Sequence, residues 1–170
     1  PAGRRLAEAT VRKFDLREDD TVLLYGVASY PIRGARTRAA RAVFDSAGIN
    51  VVYREHELRT DAAEDTRNQT AAVLEMIEGH PEARVLFDDT DVHTSATALR
   101  RAGIDANTVQ LVGFDLHPDV VDEIRAGYVD LVADQQPFLQ GYFGVLQLCM
   151  SVQYGFTGLH IDTGGGLVDA

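Results

Sequence analysis

The stretch VGFDLHPDVVDEIRAGYVDLVADQQPFLQG, residues 112–141, decides how this chain is read. It opens on an apolar run that stops at Asp115, turns helical from Pro118, and returns to a second apolar run that stops at Asp134-Gln135-Gln136. Pro137 then starts another helix, since a proline in a first helical turn withholds no N–H that the helix needs. Strand, helix, strand is the repeating unit of a parallel sheet with crossover helices. In such sheets ligands sit outside the carboxyl ends of the strands, so side chains that end these runs point toward a cleft.

The same unit repeats on the amino-terminal side. Strand-length apolar runs occupy residues 21–28, 50–55 and 84–87, ahead of those at 109–114 and 128–133. Helical segments fall between them at residues 35–47, 62–79, 93–102 and 118–126. Gly48 and Gly103 follow helices where a left-handed residue is wanted, and Gly79-His80-Pro81 is a stop signal. The expectation is an α/β fold: a doubly wound parallel sheet with helices on both faces and right-handed crossovers. The segment 137–153 is apolar nearly all round, whereas a surface helix carries one apolar stripe, so it expects cover on several sides or marks an interface. A last short strand is expected at 167–168.

Composition narrows the function. At 170 residues the chain can bury a real core, and 45% hydrophobic with 25% charged residues fits a globular protein. A formal charge of −10 argues against nucleic acid as a partner, because phosphates demand a basic face. No run approaches the roughly eighteen apolar residues of a membrane span. The opening residues PAGRRLAEATVRKF read as an amphipathic helix and not as a signal peptide, so a secreted origin implies a leader removed upstream. Cys149 is the only cysteine, which permits no internal disulfide.

The strand ends, taken in order, are polar throughout. Ala28-Ser29-Tyr30 and the basic run RGARTR follow the first, and Glu55-His56-Glu57 the second. The third ends in Asp88-Asp89-Thr90-Asp91, the fourth in Asp115, and the fifth in Asp134-Gln135-Gln136. Catalytic patterns are not visible. Lys13 is the single lysine, so a Walker or Schiff-base lysine has almost no candidate. The five histidines lack metal-ligand spacing. Asp88, Asp89 and Asp91 could hold magnesium as in a receiver domain, but neither the acidic pair on the first strand nor the lysine on the fifth is present. Gly164–Gly166 precedes a strand and not a helix, so it is no phosphate loop. The chain is expected to be no enzyme, with no cofactor and no metal.

Residues 112–141, the tail IDTGGGLVD at 161–169 and GHPEARVLFDDTD at 79–91 together resemble the second half of a type I periplasmic sugar-binding protein, the ribose- and inositol-binding kind. The resemblance implies a two-lobed solute-binding component of a carbohydrate ABC importer, periplasmic or extracellular, which closes on a monosaccharide or cyclic polyol and presents it to a membrane permease. Residues 1–134 are then the carboxyl-terminal lobe. Residues 135–160 are a hinge crossing and a helix that packs on a missing amino-terminal lobe or on a second copy, and 161–170 are the return hinge with the final strand. Lac-repressor-type regulators share this core, so an effector-binding domain is the alternative.

Residue by residue, the resemblance places the hydroxyl-binding aspartate at Asp115 and the hinge-strand glutamine at Gln135. Arg36 matches the arginine after the first strand, with Arg38 half a helical turn away. Thr90 stands where ribose binders carry asparagine, which suggests a polyol other than ribose, and Asp91 is the acidic neighbour. Asp89 and His93 lie beside them. Such side chains suit sugars, since carboxylates accept from hydroxyls, arginine donates, and amides do both. Asp115 could instead cap the helix from Pro118, and Asp134 could cap the helix from Pro137.

Overall fold

The computed structural model describes residues 2–169. Its elements are α1 (Ala2–Lys13), β1 (Thr21–Gly26), α2 (Ala35–Ser46), β2 (Asn50–Glu55), α3 (Ala62–Gly79), β3 (Val85–Asp88), α4 (Val92–Arg101), β4 (Gln110–Phe114), α5 (Pro118–Arg125), β5 (Leu131–Asp134), α6 (Pro137–Tyr154) and β6 (Gly166–Asp169). The alternation expected from sequence is therefore present. The fifth strand starts at Leu131, later than expected, because Tyr128 and Val129 donate their N–H groups back to the Glu123 carbonyl and close α5 through Gly127.

The strands form one six-stranded sheet in the order β2-β1-β3-β4-β5-β6. The first five run parallel, and β6 lies antiparallel to β5 with Asp134 opposite Gly166. This is the last short strand expected at 167–168, whose direction the sequence left open. The chain re-enters the sheet at the carboxyl end of β5, so the added strand can only run back along it. Strand order reverses between β1 and β3, which makes their carboxyl ends the switch point where such sheets take ligands.

Alternation along the strands divides the core. Val22, Leu24, Val85, Phe87, Val112 and Phe114 face α1 and α2, where Leu6, Ala7, Ala40 and Phe44 complete a buried layer. Leu23, Tyr25, Leu86, Leu111 and Val132 face the other way, onto Val73, Met76, Ala96, Leu99 and Val120 of α3, α4 and α5. Both faces are covered, as parallel sheets require. Gly48 and Gly103, just past α2 and α4, each adopt φ +71°, which ends those helices at little steric cost.

The helix α6 is different. None of its residues is buried, and Phe138, Tyr142, Val145, Leu148 and Val152 stand open to solvent. The all-round apolar pattern is thus an uncovered surface. The tail that follows lies along α1, tied by Arg5 to Asp162 at 2.7 Å and by Lys13 to Asp169 at 3.1 Å. Among the described residues no helix is long and apolar enough to cross a membrane.

Phe87 joins the core to the carboxyl edge. Its ring meets Phe44 at 5.6 Å and Phe114 at 5.9 Å, both edge-on, and it is fully buried. Phe87→Ala is expected to cost about 3–5 kcal/mol, the range for removing a buried aromatic ring. Urea unfolding followed by far-UV circular dichroism checks it, and a loss under about 1 kcal/mol would show that this layer collapses to fill the gap.

Candidate functional site

The site is built where β1, β3, β4 and β5 end. After β1 the chain loops to α2, and its first turn carries both arginines considered from sequence. Arg38 is spent on the loop itself, donating to the carbonyls of Ala28, Tyr30 (3.0 Å) and Pro31 (2.8 Å). Arg36 instead turns across the switch point. Its Nε lies 2.8 Å from Oδ1 of Asp89, out of line for a hydrogen bond but close enough for an ion pair. Its Nη2 donates to the Asp89 carbonyl at 3.3 Å, and its guanidinium carbon lies 4.3 Å from the centre of the Phe114 ring. Two arginines alike in sequence therefore have separate tasks.

The turn after β3 depends on Asp88, which is buried. Its Oδ1 accepts from the Thr90 N–H at 2.7 Å and the Thr90 hydroxyl at 2.6 Å. Its Oδ2 accepts from the Gln69 amide of α3 at 2.9 Å and the Ser95 hydroxyl of α4 at 2.6 Å. Burial pushes the Asp88 carboxyl up to about 6, against the pull of those donors. Asp89 also has no exposed surface. Burial pushes its carboxyl up as well, while Arg36, the Thr37 hydroxyl and Arg33 pull it back down.

Of the other expected residues, Asp115 and Gln135 meet directly, the Gln135 amide donating to Oδ1 of Asp115. Asp115 follows Phe114, on whose ring Arg36 lies, so three separate strand ends contribute to one rim. Asp115 adopts φ +70°, and its own N–H reaches the Ala133 carbonyl at 3.0 Å. The residue before Pro118 that occupies the cap position is His117, so Asp115 is not a helix cap. Gln135 is steadied from α6, where Gln140 donates to its carbonyl at 2.7 Å.

Thr90 and Asp91 sit on the same edge, but both serve the turn. Thr90 binds Asp88 through backbone and side chain. Asp91 caps α4, accepting from the His93 N–H at 3.2 Å and the Thr94 hydroxyl at 2.7 Å. Asp134 accepts from the Gln136 N–H at 2.9 Å, one residue ahead of α6, whose cap residue is Gln136. His93 packs edge-on against His117, their ring centres 5.9 Å apart.

Sequence reading passed over the Phe114 platform, because an aromatic ending an apolar run looks like core. It also passed over the way Glu55 holds the first loop. Glu55 accepts from the Ser29 N–H at 3.2 Å and hydroxyl at 2.6 Å, and from the Tyr53 hydroxyl. Burial works against that carboxylate, but the donors outweigh it and hold its pKa below the usual range. Beside it a cleft of about 340 Å³ is lined by Tyr25, Arg54, His56, Glu57, Arg59 and Asn68. His56 is buried there between the Tyr25 hydroxyl at 2.6 Å and Asp65 at 3.2 Å. Among the described residues no three His, Cys, Asp or Glu side chains group to hold a metal ion.

A parallel sheet with its polar groups gathered at the switch point is the arrangement in which open α/β folds take ligands. The chain belongs to the periplasmic binding protein domain family, whose model matches residues 1–155. Among characterised relatives it is similar to the xylose/arabinose-binding protein XylF of Sulfolobus acidocaldarius, 29% identical over 112 residues, an alignment covering 59% of this chain and 27% of XylF. Among solved structures, an ABC transporter solute-binding protein from Burkholderia graminis in complex with D-arabinose superimposes with a TM-score of 0.79 at 21% identity, over 99% of this chain and 58% of that one. A Bacteroides fragilis chain assigned to the LacI transcriptional regulators shares the fold at a TM-score of 0.73 and 15% identity, over 99% of this chain and 58% of that one. The chain thus spans well under two thirds of these relatives.

The Asp88 carboxyl has a measurable signature. It binds its proton near pH 6 in the fold and near its ordinary 3.8 once unfolded, so protonation favours the folded state. That contribution is complete below about pH 4 and is lost as pH rises through about 6. The stability of the natural chain relative to Asp88→Asn should therefore be greater at pH 4 than at pH 7, by about 2–3 kcal/mol. Urea titrations across that range check it, and a constant difference would mean an unshifted carboxyl.

Proposed function

We propose that this chain supplies one wall of a site that closes on a monosaccharide or cyclic polyol. In this reading it is part of the solute-binding component of a carbohydrate ABC importer, working outside the cytoplasm beside a membrane permease. The observation that carries the reading is the rim formed by Arg36 on Phe114 and by Asp115 joined to Gln135. It offers a flat cation, a carboxylate and an amide from separate strand ends, which is the donor and acceptor mixture that vicinal hydroxyls need. Family membership and the pentoses named for two relatives point the same way. The role needs no catalytic group and no cofactor, and the charge of −10 suits no nucleic acid.

The uncovered face of α6 fits the second half of such a receptor. Packing there on another lobe, or on a second copy, removes Phe138, Tyr142 and Val145 from water. Hinge motion between the lobes then opens and closes the wall around the ligand.

Calorimetry with D-xylose, the arabinoses, D-ribose and myo-inositol is the test. A saturable isotherm with at least one of them is expected, and Asp115→Ala and Gln135→Ala should each weaken it by more than tenfold. Unchanged affinity in both variants would remove this rim from the site. Sedimentation velocity gives a separate check on α6: the chain alone should self-associate, and Val145→Glu with Phe138→Glu should return it to a monomer. A monomer before substitution would count against the packing role.

A further inference from the structure

Arg36 is held in an unusual way for a residue that meets a ligand. A free guanidinium offers a fork, with two parallel N–H donors matched to a carboxylate or phosphate. Here Nε faces the Asp89 carboxylate at 2.8 Å, Nη2 is bonded to the Asp89 carbonyl, and one face lies on Phe114. Among the described residues Nη1 has no hydrogen-bond partner, and about a fifth of the side chain remains exposed. Asp89 itself is fully buried, so it cannot touch a ligand and cannot leave its partner for water.

The arrangement is also sterically set. A Cβ on Gly26 would lie 2.7 Å from Thr37 Cγ2 and 3.2 Å from Asp89 Cβ, so the bare glycine lets α2 approach β1 and β3 closely enough for Thr37 to bind Asp89. The first turn of α2 is therefore seated, and Arg36 has little freedom to turn its fork outward. Asp115 places a further negative charge on the rim. Arg33, near enough to act on Asp89, stands in solvent where its charge is screened.

We infer that Asp89 is a specificity-determining residue: by neutralising Arg36 and occupying its inner Nε–Nη2 edge, it leaves the outer N–H groups to donate to neutral hydroxyls, with little net charge to hold a carboxylate or phosphate. The inference rests on the reading that Arg36 faces the ligand, and it assigns Asp89 a role without contact. Removing its charge while keeping its size returns a net positive charge to Arg36, so the wall then accepts sugar acids.

D-xylose and D-glucuronate make a matched pair, since the acid is the same ring with a carboxylate added at C5. In 15N-labelled chain, the Arg36 Nε–Hε cross-peak reports each titration directly. For the natural chain glucuronate should act at least tenfold more weakly than xylose. In Asp89→Asn glucuronate should act at least tenfold more strongly than in the natural chain. Asp89→Ser, smaller and equally uncharged, replaces that variant if it does not fold. Glucuronate moving the natural cross-peak as readily as xylose would overturn the inference, and so would an uncharged variant that gains no response to the acid. Xylose moving nothing while the variant captures glucuronate would leave the inference standing and defeat the sugar-wall reading instead.

Discussion

Two adjacent carboxylates at the end of β3 tie this structure together. Side chains alternate along a strand, so Asp88 turns to the face covered by α3 and α4, where Gln69 and Ser95 hold it. Asp89 turns to the face covered by α2, where Arg36 and Thr37 hold it. A strand near the middle of the sheet is thereby fastened to both helical layers at the edge where the ligand is proposed to sit. Neither carboxylate has exposed surface to speak of, so their hydration has to be replaced by protein donors.

That replacement is uneven, and the unevenness separates two functions. Asp88 finds four donors and makes a rigid, fully satisfied turn, which places Thr90 and begins α4. Asp89 finds a hydroxyl and a cation, with one oxygen out of line for any hydrogen bond. Removing either partner of a buried pair strands the other charge, which usually costs about 3–5 kcal/mol. The first carboxylate is thus architectural. The second couples architecture to the rim, because its cation is also the one lying on Phe114. Through Phe114 and Phe87 the rim is continuous with the hydrophobic layer beneath α1 and α2.

Much of this was legible in the sequence. Apolar runs of strand length, separated by helical spacing and stopped by Gly48 and Gly103, specify a parallel α/β sheet because few other arrangements bury both faces. The meeting of Asp115 with Gln135 was legible too, since both end strands that the topology makes neighbours. The antiparallel course of β6 was not, because a short apolar run carries no direction. Nor could sequence tell Arg36 from Arg38, which are the same residue type half a turn apart and differ only in which loop atoms lie within reach. The acidic run at 88–91 reads as one cluster, yet its members are two buried ties, a cap and the hydroxyl between them. Alternation and capping sort them, and both depend on where a strand stops, to the residue.

Asp115 carries one more implication. A side chain at φ +70° sits in a region that glycine enters freely and other residues enter only at a cost, typically about 1–3 kcal/mol. Aspartate is among the residues that bear this best, but a glycine at the same position would relax the backbone. Against that cost the carboxylate accepts from the Gln135 amide, a contact that glycine would give up. Selection for thermal robustness at this corner and selection for its chemistry would pull in opposite directions.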